Sequence, residues 1–196
     1  MKKLFLLLLI ALSSFGISQA QTVKHHSYTT YFNQTLHEPD SVVWTLNASM
    51  LTGPKTKRKD LFHGDPAISS SSVVPDYVNS HYDKGHMFPY QDAECNATDR
   101  VECFYMSNML PQLHVLNAGP WYDLECYCRD QAMKQPIKIV SGGTGSLGVI
   151  GKDKVNIPAA CWKRVIYKDS VQYYLMPNVD TVKRHPFQFY RIKTRR

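Results

Sequence analysis

The stretch from Asp83 to Glu125 constrains the fold more than any other part of the chain. It contains three spaced segments, DKGH at 83–86, SNMLPQ at 107–112 and LNAGPWYDLE at 116–125. Gly85 predicts a turning backbone in the first segment. The third segment begins a predicted helix over residues 116–134, with Pro120 suited to its first turn. The stretch therefore predicts a histidine-bearing turn followed along the chain by a long helix.

Short β-rich runs surround this stretch and predict a sheet. The predicted strands are Val42–Met50, Val101–Leu110, Ile137–Val140, Ala160–Tyr167 and Val171–Met176. Gly53 and Pro54 end the first strand, and residues 63–80 are predicted as loop with a short helical turn. The glycine-rich run 142–145 is predicted as a turn, because it lacks the lysine and the following helix of a phosphate-binding loop.

The chain of 196 residues contains no internal repeat and no low-complexity linker. Hydrophobic residues make up 43% of it, which is enough to build a core. We expect one α+β domain over residues 21–196.

Residues 1–20 have the pattern of a signal peptide. Lys2 and Lys3 form a positive start, Leu4–Leu12 is an apolar run, and Ser18–Ala20 supplies small residues for cleavage. The apolar run is too short to span a bilayer. The sequence therefore predicts an exported protein, secreted or periplasmic, with no membrane association.

Export permits disulfides, and the chain has five cysteines. Cys95 and Cys103 flank a polar loop and form the favoured pair. Cys126 and Cys128 lie on the predicted helix and point in different directions, so they are not expected to pair with each other. A zinc site is the rival interpretation, although no CxxC pair supports it.

Several residues of the central stretch suit phosphodiester hydrolysis, which requires a base for the attacking water and positive charge at the phosphate. His86 is a candidate base, although a single histidine is commonly structural. Asn117, Trp121 and Glu125 follow one another at helical spacing and would share one face. Their oxygen donors suit magnesium, which binds few protein ligands. A helix cap and a solvated carboxylate are the alternative interpretations of Asn117 and Glu125.

The net charge of +7 is compatible with a polyanionic partner or with simple solubility. The densest positive cluster is KTKRK at 55–59. We expect most of these side chains to be solvated or to attract a phosphate backbone, with one arginine placed at the site.

Taken together, the three segments resemble the DNA/RNA non-specific endonucleases. That family carries a DRGH segment, then SN-x-x-PQ, then LN-x-G-x-W-x-x-LE, and this chain matches them in order and spacing at 83–86, 107–112 and 116–125. DPAI at 65–68 and IPAACWKRVIY at 157–167 resemble scaffold segments of the family. The resemblance implies a ββα-metal nuclease core within a mixed, mainly antiparallel sheet flanked by helices.

The resemblance also implies roles for individual residues. His86 would be the general base, and Asn117 the single direct ligand of a hydrated Mg²⁺, with Mn²⁺ as a substitute. Glu125 would hold the water shell of that ion, and Asn108 would keep the surroundings of His86 in register. Arg58 would clamp phosphate. DNA and RNA would both be substrates, cut to leave 5′-phosphate ends.

Lys57 and Lys59 are alternative matches to the arginine of the family and are expected to bind substrate. Lys84 replaces the family arginine of the first segment, which keeps the charge but loses bidentate geometry. Many relatives begin a final helix about where this chain ends, so either a minimal domain or one that lacks an edge of its packing is expected. A catalytically weak nucleic-acid-binding or surface-interaction protein on the same fold is the alternative function.

Overall fold

The computed structural model of the chain describes residues 20–55 and 57–193, and most of their strands join one sheet. In chain order the strands are β1 Gln21–Lys24, β2 Tyr28–Asn33, β3 Glu38–Leu46, β4 Asp83–His86, β5 Met109–Gln112, β6 Ile137–Thr144, β7 Val149–Ile150, β8 Val155–Asn156, β9 Ala160–Ile166, β10 Val171–Pro177 and β11 Arg191–Ile192. The main sheet has seven strands in the order β1-β2-β3-β6-β9-β10-β11. All of its neighbours pair antiparallel, which confirms the mainly antiparallel sheet.

The helices are short, with one exception. They are α1 Ala48–Leu51, α2 Tyr90–Ala93, α3 Asp99–Glu102, α4 His114–Leu116 and α5 Tyr122–Ala132. Single helical turns lie at Val74–Tyr77, Met106–Asn108, Asp180–Arg184 and Phe187–Tyr190. The turn at Val74–Tyr77 confirms the helical turn expected within residues 63–80.

The main core lies between the sheet and α5. Side chains alternate along each strand, so every second residue faces this core. Leu124 and Cys128 of α5 pack there with Trp44 of β3 and Val165 of β9, all almost fully buried. This packing fixes α5 against the centre of the sheet.

The strand expected at Val42–Met50 is shifted towards the N-terminus and ends at Leu46. The side chain of Asn47 accepts a hydrogen bond from the Ser49 N–H (3.0 Å) and begins α1. A helix cap therefore ends the strand before Gly53 is reached.

The strand predicted over Val101–Leu110 is wrong for most of its length. Asn96 accepts hydrogen bonds from the Thr98 and Asp99 N–H groups (2.8 and 3.1 Å), and α3 follows. Only Met109–Gln112 pairs with another strand, β4, in a two-stranded ribbon. An apolar run by itself does not distinguish a strand from buried helical turns. Here the cap at Asn96 favours the helical turns.

The helix predicted over residues 116–134 is interrupted. Asn117–Trp121 form a π-helical turn in which Gly119 has non-helical angles, and the regular helix α5 covers only Tyr122–Ala132. Pro120, which lacks a backbone N–H, follows the break directly. Asn117 therefore does not share a continuous helix face with Glu125, contrary to the spacing argument.

The turn predicted at 142–145 is also wrong for its first residues. Gly142 and Gly143 belong to β6 and pair with Trp162 and Cys161 of β9. A side chain at position 142 would overlap the Asp40 carbonyl and the Trp162 ring. Of this run only Gly145, at φ +72°, adopts a conformation that favours glycine.

The disulfide expected between Cys95 and Cys103 is not formed, and all five cysteines are free thiols. The two sulfurs have different surroundings. Cys95 Sγ accepts from the Gly53 N–H (3.1 Å), and the buried Cys103 thiol is directed to the Arg100 carbonyl (3.7 Å).

The predicted signal peptide, residues 1–20, lies outside the described residues except for Ala20. Within the described part of the chain, the helices are too short or too polar to cross a lipid bilayer.

Candidate active site

A cavity of about 190 Å³ lies where the β4–β5 ribbon meets the start of α5. Five of the residues predicted for the site line it together, namely Arg58, Lys84, His86, Asn117 and Glu125. Pro89, Tyr90, Gln91, Ala118 and Tyr122 complete the wall. Side chains of the first and third sequence segments line the cavity. The second segment contributes β5 of the adjoining ribbon.

His86 ends β4 and has its ring held by aromatic packing. The ring centroid lies 5.3 Å from that of Phe104 and 5.6 Å from that of Phe62. Its Nε2 atom is buried and has no hydrogen-bond partner among the described residues. Burial, reinforced by the charge of Arg58, lowers the pKa of His86 to about 3. The imidazole is therefore neutral near pH 7, and in the free protein it is a weaker base than an ordinary histidine.

Asn117 is oriented by the first residue of the DKGH segment. Its Nδ2 donates to Asp83 Oδ2 (2.9 Å), and His114 Nδ1 lies 2.8 Å from the same carboxylate oxygen. Because the amide nitrogen is engaged, the amide of Asn117 has a defined orientation. Neither the π-helical turn that begins at Asn117 nor α5 has a side-chain cap hydrogen bond, so Asn117 is not the helix cap of the alternative interpretation.

Glu125 is buried and contacts a buried lysine. Its Oε1 lies 3.6 Å from Nζ of Lys163, which is 1% exposed. The same ammonium lies 4.2 Å from the ring centroid of Trp121. Burial raises the pKa of the Glu125 carboxyl, and the charges of Lys163 and Arg129 oppose that rise. Glu125 is therefore not the solvated helix carboxylate of the alternative interpretation.

A second ion pair lies behind Glu125, between buried Asp92 and partly buried Arg129. Arg129 Nη1 is 3.4 Å from Asp92 Oδ1, and the other oxygen of Asp92 accepts from Trp44 Nε1 (3.0 Å). The guanidinium also donates to Cys126 Sγ (3.2 Å). These contacts connect α5 to α2 and to the sheet behind the cavity.

Sequence reasoning missed Lys163 and Arg129. The signal for Lys163 is its place in β9, where it lies on the same inward face as the core residues Cys161 and Val165. A lysine at an inward position is uncommon without a charged partner. Arg129 lies one helical turn after Glu125, a spacing typical of side chains that share a helix face.

Two cations border the cavity from different elements. The Arg58 guanidinium lies 5.3 Å from the Tyr90 ring centroid, and its Nε donates to Asp60 Oδ1 (2.7 Å). Lys84 Nζ lies 4.9 Å from the centroid of Phe62 and 5.7 Å from that of Tyr77. The lysine that replaces the family arginine thus still brings its charge to the cavity.

Asn108 is fully buried and lies outside the cavity wall. Its Oδ1 accepts from the Phe88 N–H (2.8 Å), and its Nδ2 donates to the carbonyls of Phe88 and Cys103 (2.9 and 2.8 Å). It therefore holds the backbone two residues after His86.

Lys57 and Lys59 do not line this cavity. They border a neighbouring one of about 440 Å³, and Tyr90 lines both. The KTKRK cluster is thus divided, with Arg58 at the smaller cavity and the two lysines at the larger one.

The donors of the smaller cavity suit a hard cation. They are the amide oxygen of Asn117 and the carboxylate of Glu125, and oxygen ligands of these types are preferred by Mg²⁺. No group of three or more His, Cys, Asp or Glu in the described part of the chain is placed to hold a metal ion.

The chain matches the family model described as "DNA/RNA non-specific endonuclease" over residues 10–196. It is 35% identical over 149 residues to a protein named "Nuclease" from Nostoc sp., covering 74% of this chain and 54% of that protein. It is 29% identical over 202 residues to "Nuclease EXOG, mitochondrial" of Danio rerio, covering 91% of this chain and 59% of that protein. This chain thus spans somewhat over half the length of these two relatives.

A solved structure described as the EndoG/EndoGI complex has the same fold, with a TM-score of 0.80 at 24% identity over 88% of this chain and 80% of that one. On the family match, which extends over nearly the whole chain, this protein belongs to the DNA/RNA non-specific endonuclease family.

Proposed function

We propose that this chain is a magnesium-dependent endonuclease that hydrolyses phosphodiester bonds of DNA and RNA without strong sequence preference. The observation that carries the proposal is the cavity in which His86, Asn117 and Glu125 meet Arg58 and Lys84. Family membership supports it, as do the names of the relatives. The signal-peptide pattern of residues 1–20 supports a secreted or periplasmic location.

His86 would take the proton of the attacking water. Its pKa, lowered to about 3, keeps the ring in the proton-accepting form. A phosphodiester anion in the cavity would offset the charge of Arg58 and raise the pKa of His86 towards the working range of a general base. The packing of Phe62 and Phe104 would hold the ring in position during this transfer.

Arg58 and Lys84 would bind the phosphate. In the free protein Arg58 is paired with the exposed Asp60, a contact that a phosphate could replace at small cost. Contacts of these kinds address the backbone rather than the bases, so they favour cleavage of either sugar type.

Asn117 and Glu125 would hold the ion, which is Mg²⁺ or, as a substitute, Mn²⁺. When bound, the ion supplies stabilisation of negative charge on the phosphate and on the leaving 3′ oxygen, so that the cut leaves a 5′-phosphate end. Asp83 would keep the Asn117 amide turned for this role through the 2.9 Å hydrogen bond.

The proposal is tested by incubating plasmid DNA and RNA with the mature protein, with Mg²⁺ or with EDTA. We expect both polymers to be degraded only with the metal, and His86→Ala to lose about a hundredfold or more in rate. His185→Ala, a change of an exposed histidine, serves as the control and should cleave like wild type. Full activity of His86→Ala would overturn the mechanism. Salt-sensitive binding without cleavage under any divalent ion would instead favour a binding protein.

A further inference from the structure

The larger cavity next to the candidate active site has two kinds of wall. Lys57, Lys59 and Arg100 supply positive charge, and the described residues that line the cavity include no carboxylate. Arg100 is fixed by a hydrogen bond from its Nη1 to the Glu94 carbonyl (2.8 Å). The cavity is therefore a site of one charge sign, suited to an anion.

The rest of the wall is apolar and accessible. Leu61 is 51% exposed and Val101 43% exposed, and both line the cavity. A phosphate backbone gains nothing from such side chains, because its oxygens require donors and cations. An apolar wall beside cations matches a ligand that is anionic on one side and apolar on the other.

Tyr90 relates this cavity to the chemistry. It lines both cavities, and its ring lies under the guanidinium of Arg58 (5.3 Å to the centroid). Among the described residues, Tyr90 is the one side chain that lines both spaces. A strand whose scissile phosphate lies beside Arg58 would place a neighbouring nucleotide in the larger cavity.

We infer that the larger cavity is a subsite for an unpaired nucleotide flanking the cleaved bond, with its phosphate on Lys57, Lys59 and Arg100 and its base against Leu61 and Val101. Base faces in a duplex are covered by their stacked neighbours, so only an unpaired base can bring a face to this wall. The volume of about 440 Å³ is large enough for one nucleotide. The inference rests on the proposed nuclease function and adds a preference for single-stranded segments.

The test compares single-stranded and duplex oligonucleotides of one sequence. Leu61→Glu combined with Val101→Glu should raise the KM ratio of single-stranded to duplex substrate about tenfold, the loss expected for one base contact. Leu147→Glu combined with Val149→Glu is the matched control, because these residues are 51% and 54% exposed but lie outside both cavities. It should change the ratio less than about twofold.

A second test measures the contribution of the positively charged wall. It remains informative even if the Leu61→Glu/Val101→Glu variant does not fold. Lys57→Gln with Lys59→Gln should reduce the salt dependence of single-strand binding in EDTA, lowering the slope of log affinity against log salt by about one. Lys152→Gln with Lys168→Gln removes the same charge elsewhere and should leave the slope as it is.

The outcomes distinguish a failure of the proposed nucleotide subsite from a failure of the proposed nuclease function. Bis(p-nitrophenyl) phosphate has no flanking nucleotide, so its hydrolysis should require only the smaller cavity and should be lost in His86→Ala. If wild type cleaves this compound and both polymers but the KM ratio stays constant in Leu61→Glu/Val101→Glu, the subsite is wrong and the nuclease function stands. If wild type cleaves none of these substrates, the nuclease function fails first.

Discussion

Lys163 illustrates how one buried charge controls another. Its ammonium is almost inaccessible and lies 3.6 Å from Glu125, and Trp121 covers it with a ring face at 4.2 Å. Removing one member of such a pair leaves an uncompensated charge in the interior, which costs far more than the intact pair contributes. Lys163 thus holds the Glu125 carboxylate in place from the side away from the candidate metal position.

Lys163→Met should lower the free energy of unfolding by about 3 kcal/mol, because Glu125 loses its nearest cation while it stays buried. Urea denaturation measures this change. Lys163→Met combined with Glu125→Gln should recover much of the stability, since the remaining charge is also removed. Lys168→Met, on the exposed turn after β9, is the control and should unfold like wild type. A single variant as stable as wild type would contradict this account.

The residues that touch the cavity were predictable, and those behind it were not. His86, Asn117 and Glu125 stand in spaced segments whose order carries the resemblance. Lys163 lies in the run 157–167, which resembles a scaffold segment of the family, and lysine is ordinarily a surface residue. Only the alternation of inward and outward side chains along β9 indicates that Lys163 points inward.

The β4–β5 ribbon positions the base by close contact between its strands. Gly85 pairs with Leu110, and the amide of Gln112 occupies the space that a side chain at position 85 would need. The ribbon therefore requires glycine at the residue directly before His86.

Gly85→Ala should destabilise the protein by about 2 kcal/mol and displace the ribbon that carries His86. Thermal unfolding and cleavage rate would both report the change. Gly85→Ala with Gln112→Ala should recover part of the stability, because it restores the missing space. Gly64→Ala is a suitable control, since its nearest neighbour would be a side-chain atom at 3.9 Å. Equal losses in the two glycine variants would refute the role of Gln112.

Elements were predicted well where pattern and turn signals agreed. The strands from Ile137, Ala160 and Val171 begin where expected, because β-branched runs there are bounded by turn residues. The structure of residues 101–110 and 116–121 was not predicted correctly. A polar helix cap changes the chain direction before the first segment, and a glycine-proline break does so within the second. Those breaks occur beside the candidate site, where the backbone departs from regular helix and strand.

The protein as a whole carries buried carboxyls whose titration should affect its stability. Burial raises the pKa of Glu38 to about 8, although its Oε1 accepts a hydrogen bond from Asn156 Nδ2 (2.8 Å). The pKa of Asp92 is likewise raised by burial, to about 7. The folded protein therefore keeps these protons to a higher pH than the unfolded chain, whose glutamates lose theirs near 4.5.

Stability should consequently fall as the pH rises from about 6.5 to 8, since these carboxyls make the folded state bind more protons in this range. Below about 6.5 the lowered pKa of His86 opposes the effect, because the unfolded chain takes up a proton there that the folded state does not hold. The contribution of Glu38 is fully present below pH 4.5 and is lost as the pH passes about 8. Its slope is at most about 1.4 kcal/mol per pH unit. Urea unfolding at several pH values should show a flatter dependence for Glu38→Gln than for wild type. Asp169→Asn, an exposed carboxyl, should keep the wild-type slope.

The division of the two cavities between elements has an evolutionary consequence. His86, Asn117 and Glu125 stand on a ribbon and a kinked helix that the core holds in place, whereas Lys57, Arg58, Lys59 and Leu61 stand on a segment without regular structure. Substitutions there would disturb little packing. Descendants of this chain could therefore change which polymer they select through substitutions at Lys57, Lys59 and Leu61, as long as Arg58 is kept for the reaction.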